Sequence, residues 1–120
     1  MTPEALIDAY CAAWSEPDAT ARTAQLGAVL SDDARYTDPR TDVAGPEALS
    51  AHIEAVLSAR PGSRVERTTA VDEHHGVARF GWRALDADGS ILIEGIDVVE
   101  LAANGSIARI VGFFGRLASS

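Results

Sequence analysis

The sequence predicts an α+β domain in which three N-terminal helices pack on one face of a curved, mainly antiparallel sheet. Three observations carry this. Apolar residues recur at helical spacing as far as Ala59, and after the break "RPGS" the pattern changes to alternating runs rich in β-branched residues. The separators "HHG", "ADGS" and "ANGS" between those runs contain glycine, as tight hairpin loops require. No repeat, low-complexity segment or linker divides the 120 residues, so residues 1–120 are read as one domain.

Thr2-Pro3-Glu4 opens the first helix with an N-cap residue and a proline at the first helical position. Leu6, Ile7, Tyr10, Ala13 and Trp14 then form one apolar stripe. "SEPD" breaks this helix, and Asp18 caps a second over residues 19–30 with Leu26, Val29 and Leu30 inward. "DDARYTDPR" reads as a short strand ending at Asp38, because the residue before a proline is biased to extended backbone. "TDVAG" reads as a loop. A third helix spans Pro46–Ala59, with Ala48, Leu49, His52, Ile53, Val56 and Leu57 on one side. Strands follow at about 64–73, 77–86, 91–101 and 106–116. A strongly bent sheet closed by helices leaves a cone-shaped pocket, the kind of concave apolar site that small ligands occupy.

The composition excludes several classes of function. Hydrophobic residues make up 47% of the chain, enough for a core without disulfides or metals. The net charge is −8 and no run of basic residues occurs, which argues against nucleic acid or an anionic membrane as partner. The single cysteine, Cys11, suits a reducing compartment. No apolar run approaches a membrane span and the first residues lack a basic stretch, so a soluble, cytoplasmic protein is expected. No spacing of His, Cys and carboxylates resembles a metal site, and there is neither a phosphate-cradling loop nor a nucleophile elbow. The expectation is therefore of no metal and no cofactor.

The residues able to do chemistry are few. In "ILIEGIDVVEL", alternation puts Asp97 in the apolar row of Ile91, Ile93, Gly95, Val99 and Leu101, while Glu94 and Glu100 lie on the other face. A carboxyl there is either a neutral, desolvated hydrogen-bond donor or a structural acid paired with an arginine. Asp38 ends its strand where a carboxylate reaches a cavity mouth, or else serves as a turn residue before Pro39. Tyr10 sits in the first helix's stripe, so its hydroxyl needs a buried partner, either catalytic or an ordinary backbone carbonyl. His52 lies on the apolar side of the third helix as a pocket-lining residue. Trp14, Val56, Phe80, Trp82 and Phe113 are expected to line the same apolar cavity with it, and Phe114 is a further aromatic able to do so. Arg35, Arg79, Arg83 and Arg109 are assigned to the exposed sheet face, and His74-His75 to a solvated turn.

The order of elements and three segments resemble the NTF2-like superfamily, in particular its SnoaL-like and ketosteroid isomerase-like members. "AYCAAW" is similar to the first-helix segment carrying the isomerases' oxyanion-hole tyrosine. "LSDDARYTDP" is similar to the strand that ends in their general-base aspartate, and "GIDVVEL" with "NGSIARIVGFFG" to the penultimate-strand aspartate and the closing strand. The resemblance implies Asp38 as proton shuttle, with Tyr10 and a protonated Asp97 as oxyanion donors. It also implies a homodimer through the open sheet face and a small apolar, carbonyl-containing ligand. The sequence departs from steroid isomerases where they carry a supporting tyrosine on the third helix. Here Ile53 stands at about that place with His52 beside it, so the network behind Tyr10 is built differently.

Two reactions fit the resemblance: isomerisation of a β,γ-unsaturated ketone such as a 3-oxo-Δ5 steroid, and aldol cyclisation of a polyketide. A non-catalytic module that binds a hydrophobic ligand or a protein is the alternative from another class. The limonene-type epoxide hydrolases need an Arg-x-Asp pair on one strand. Position 95 is Gly here and the only such pair, Arg40 to Asp42, falls in the expected loop, which ranks that reading lower.

Overall fold

The computed structural model describes residues 1–120. Its elements run α1 (Pro3–Ala13), α2 (Ala19–Val29), β1 (Leu30–Asp38), β2 (Thr41–Ala44), α3 (Pro46–Ala59), β3 (Arg64–Arg67), β4 (Asp72–His74), β5 (Val77–Leu85), β6 (Ile91–Leu101) and β7 (Ile107–Phe114). The three helices pack on one sheet of order β2-β1-β7-β6-β5-β3, with β4 also paired to β5. All pairs are antiparallel except β1 with β7. The architecture is therefore the expected α+β cone. No helix is long and apolar enough to cross a membrane.

Local chemistry explains the elements. Thr2 caps α1 through its hydroxyl to the Ala5 amide, and the Asp18 carboxylate caps α2 at the Ala21 amide, 2.8 Å away. Pro46 opens α3 at its first position. His75 and Gly76 both take positive φ, the condition for the two-residue turn that joins β4 to β5.

The sequence-based boundaries need three corrections. "TDVAG" is not a loop: Thr41–Ala44 pairs with β1 as an edge strand, joined to it by the Pro39-Arg40 turn. The first strand is longer than expected, because Leu30 leaves α2 and pairs at once with Ile107. The strand expected over 64–73 is broken in two. Arg67 faces Trp82 and Asp72 faces Arg79, so the chain bulges between them, packing against Gly81 with the Gly81 amide bonded to Thr69 Oγ1 at 2.8 Å.

The closed end of the cone is aliphatic, with Leu26, Ile53, Val99, Ile107 and Ile110 essentially without solvent exposure. One charge lies among the helices. Arg22 is fully buried, donates to the Ser50 hydroxyl and the Glu16 carbonyl at 3.1 and 2.7 Å, and forms an ion pair with Glu54. Each of the three guanidinium nitrogens has a partner, which makes this burial tolerable, and the contacts tie α2 to α3. The arginines assigned to the outer face lie there, with Arg35, Arg79 and Arg83 paired to Asp42, Asp72 and Glu66.

Candidate active site

Between the helices and the open end of the sheet lies a cavity of about 240 Å³. Tyr10, Asp38 and Asp97 all stand on its wall, as do Trp14, His52, Val56 and Trp82. Two expected lining residues do not. Phe80 is on the inner face but sealed in the core, and Phe113 points outward, 56% exposed. The aromatic that faces the cavity from β7 is the next residue, Phe114, which shares its face with Gly112 and packs edge-on against Trp82.

The two acids reach the cavity by strand parity. Asp97 on β6 is paired with Gly112 on β7, and β1 runs along the other side of β7 with Asp38 at its end. A Cβ placed on Gly112 would lie 2.9 Å from Asp97 Oδ1 and 3.4 Å from the Asp38 Cβ. The glycine thus clears the space between the carboxyls. Gly95 performs a second clearance, since its missing Cβ would lie 2.5 Å from the Trp82 ring.

Their environments differ. Asp97 is 6% exposed, and burial, with a smaller contribution from the Asp38 charge, pushes its carboxyl up to about 7. The Trp82 indole N–H is buried without a hydrogen bond of ordinary geometry, yet lies near enough to pull Asp97 the other way, less strongly than burial. Asp38 instead accepts two hydrogen bonds: Oδ1 from the Arg40 amide at 2.8 Å and Oδ2 from the Tyr36 hydroxyl at 2.6 Å. Burial and then the bond to Asp38 push the Tyr36 phenol far up, so it stays a donor.

Tyr10 is buried, and its phenol is pushed well above the usual tyrosine range, first by burial and then by Asp97. Its hydroxyl accepts the Trp14 indole N–H at 2.9 Å, one helical turn along α1. That bond occupies an oxygen lone pair and leaves the Tyr10 proton free to point into the cavity. The network behind Tyr10, missing from α3, is thus supplied by α1 itself. Trp14 in turn packs against Tyr36 and His52, with ring centroids 5.7 and 5.8 Å away.

Sequence reasoning missed Tyr36, although it lies two residues before Asp38 and so on the same strand face. It also missed Arg40 as a lining residue. Asp42 is exposed and paired with Arg35, so Arg40 and Asp42 do not form a cavity-facing pair.

The sequence matches the SnoaL-like domain family over residues 7–110. Among solved structures, a proposed isomerase of the SnoaL-like family from Agrobacterium tumefaciens str. C58 is similar with a TM-score of 0.88 and 34% identity, over 94% of this chain and 97% of that one. A proposed SnoaL-like polyketide cyclase from Jannaschia sp. CCS1 shares the fold at a TM-score of 0.68 and 12% identity, over 95% of this chain and 89% of that one. So does an NTF2-like protein of unknown function from Exiguobacterium sp. 255-15, at 0.69 and 19%, over 93% and 99%. No curated protein matches the sequence.

Proposed function

The chain belongs to the SnoaL-like family, and on that footing we propose that it is an enzyme that removes a proton next to the carbonyl of a small apolar substrate. Asp38 is the base; Tyr10 and protonated Asp97 are the donors that receive the enolate oxygen. One observation carries this reading: two carboxyls share a sheet row across a glycine, one desolvated and pushed up to about 7, the other held as an acceptor by two donors. A desolvated carboxyl that keeps its proton, set beside one whose oxygens accept hydrogen bonds, can supply an acid and a base to one cavity.

In the reaction Asp38 takes the α-hydrogen as a proton. The C–H electron pair becomes the new C=C bond, and the carbonyl π pair moves onto oxygen, where the O–H groups of Tyr10 and Asp97 meet it. Return of the proton from Asp38 to the γ-carbon gives the conjugated ketone. In a ring closure the α-carbon of the enolate attacks a second carbonyl instead, the π pair of that carbonyl moves onto its oxygen, and the resulting alkoxide takes the proton back from Asp38.

The test uses a 3-oxo-Δ5 steroid beside the smaller 3-cyclohexenone, because the enclosed volume falls below the roughly 300–1,000 Å³ of common ligand pockets. Conjugated-enone absorbance follows turnover. Asp38→Asn is expected to lower it by about 10³-fold while ligand affinity is retained; turnover at the wild-type rate in that variant would mean that another group is the base.

A non-catalytic binding module is favoured by one feature, the occupation of both Asp38 oxygens by protein donors. The same assay decides: ligand binding without any wild-type turnover or exchange of the α-hydrogen with solvent deuterium supports the module.

The proposal extends to a homodimer through the outer sheet face. There Ile96 and Phe113 are cross-strand neighbours, 46% and 56% exposed, an apolar pair that a second copy would cover. Sedimentation is expected to show a dimer that Phe113→Glu weakens; a monomer at high concentration counts against it.

A further inference from the structure

The geometry points to a substrate that carries a carboxylate, and to Arg40 as the residue that reads it; this rests on the cavity being the reaction site. Arg22, Arg35, Arg60, Arg67, Arg79 and Arg83 each have a carboxylate partner in an ion pair. Arg40, Arg64, Arg109 and Arg116 have none, in a chain with eight more acidic than basic side chains, and of all the arginines only Arg40 is on the cavity wall. Its guanidinium lies over the ring of Phe114, 5.5 Å from the centroid, an arrangement that holds the cation at the lip without a counter-ion.

The position is tied to the chemistry. The Arg40 amide donates to Asp38 Oδ1, so the turn that carries the guanidinium is pinned to the base. Tyr10, Asp97, Trp82, Ile93, Phe114 and Arg40 line one cavity, so in the proposed pose the carbonyl end lies at Tyr10 and Asp97, the apolar body against Trp82, Ile93 and Phe114, and the acid end at Arg40. A guanidinium offers paired donors that match a carboxylate, and no other arginine or lysine lines this cavity. Without Arg40 the Asp38 carboxylate would repel an anionic ligand; with it, that repulsion sets the ligand's direction, acid end out and carbonyl end in. The substrate class is thus a small apolar keto acid.

Calorimetric titration of 4-acetylbenzoate, which carries carbonyl, apolar ring and carboxylate in that order, against its methyl ester reads this directly. Wild type is expected to bind the acid about tenfold more tightly, as one hydrogen-bonded ionic contact supplies, and the preference is expected to shrink as salt is raised. Arg40→Gln brings the acid down to the ester, while Arg40→Lys keeps part of the preference. Equal affinity of acid and ester for wild type, the same preference in Arg40→Gln, or no binding of either compound overturns the inference. Because the readout is binding, it separates from the proposed reaction. An acid preference that persists in a protein with no Asp38-dependent turnover refutes proton abstraction alone, and turnover of neutral ketones without an acid preference refutes the role of Arg40 alone.

Discussion

Two neighbouring rows on the inner face of the sheet divide the labour of this protein. One runs Tyr36, Ile110, Val99 and Ala78 across β1, β7, β6 and β5, and all four are buried. The next, one pleat further along, runs Asp38, Gly112, Asp97 and Phe80. The strands, pairing partners and face are the same, and the rows are about 7 Å apart. Apart from the Tyr36 hydroxyl, which reaches over to Asp38, the first row fills space with hydrocarbon; the second sets two carboxyls around a gap. Stability and the proposed chemistry are thus separated by one side-chain repeat.

That separation is testable by a matched pair. Ile110→Ala is expected to cost about 2–5 kcal/mol of stability through loss of buried volume, with kcat/KM per folded molecule held near wild type. Gly112→Ala is expected to do the reverse. Its methyl group would stand 2.9 Å from Asp97 Oδ1, and displacing the acids by even part of an ångström costs on the order of 10²-fold in kcat/KM, with a stability change of about 1–3 kcal/mol at most. Equal loss of activity in both variants, measured beside thermal unfolding, would erase the distinction between the rows.

Asp97→Asn sharpens it further. The folded carboxyl is pushed up to about 7 from an ordinary value of 3.8, so the folded state holds its proton more tightly than the unfolded chain. The stability contribution of Asp97 therefore falls as pH rises from about 4 to about 7 and is flat above. An asparagine side chain does not titrate, so the variant gains on wild type across that window, by on the order of 2–4 kcal/mol at pH 8. In activity the wild type is expected to decline above pH 7 as the donor ionises. The variant keeps a weaker N–H donor, loses about tenfold, and lacks that limb. Parallel pH profiles for the two proteins in both unfolding and rate would remove Asp97 from the proposed role.

Strand parity made much of this legible. Ile91–Leu101 is bounded by turn residues and alternates cleanly, so the misfit of Asp97 is visible in the sequence alone. Tyr36 was within reach of the same argument. Phe113 and Phe114 show its limit, since adjacent aromatics differ in face and only the pairing of Gly95 with Phe114 decides which one looks inward. Gly112 gave no local signal, because its importance depends on which strands lie at its sides. β2 escaped because four residues pairing on one side only carry too short a pattern. Arg22 occupies a helical position one turn before Leu26, where a charge has meaning only once Glu54 and Ser50 arrive from α3.

The parallel pairing of β1 with β7 has a consequence for assembly. Asp38 and Asp97 lie on strands that never touch, and only β7 spaces and aligns them. Its partners come from opposite ends of the order of synthesis: β6 arrives through a short hairpin, β1 through closure of most of the chain. Local contacts form early and distant ones late, since loop closure must be met by entropy before the contact rewards it. The helices and the β5–β6 hairpin can therefore be in place while the two acids are still strangers, and the proposed catalytic centre is among the last features of the fold to exist.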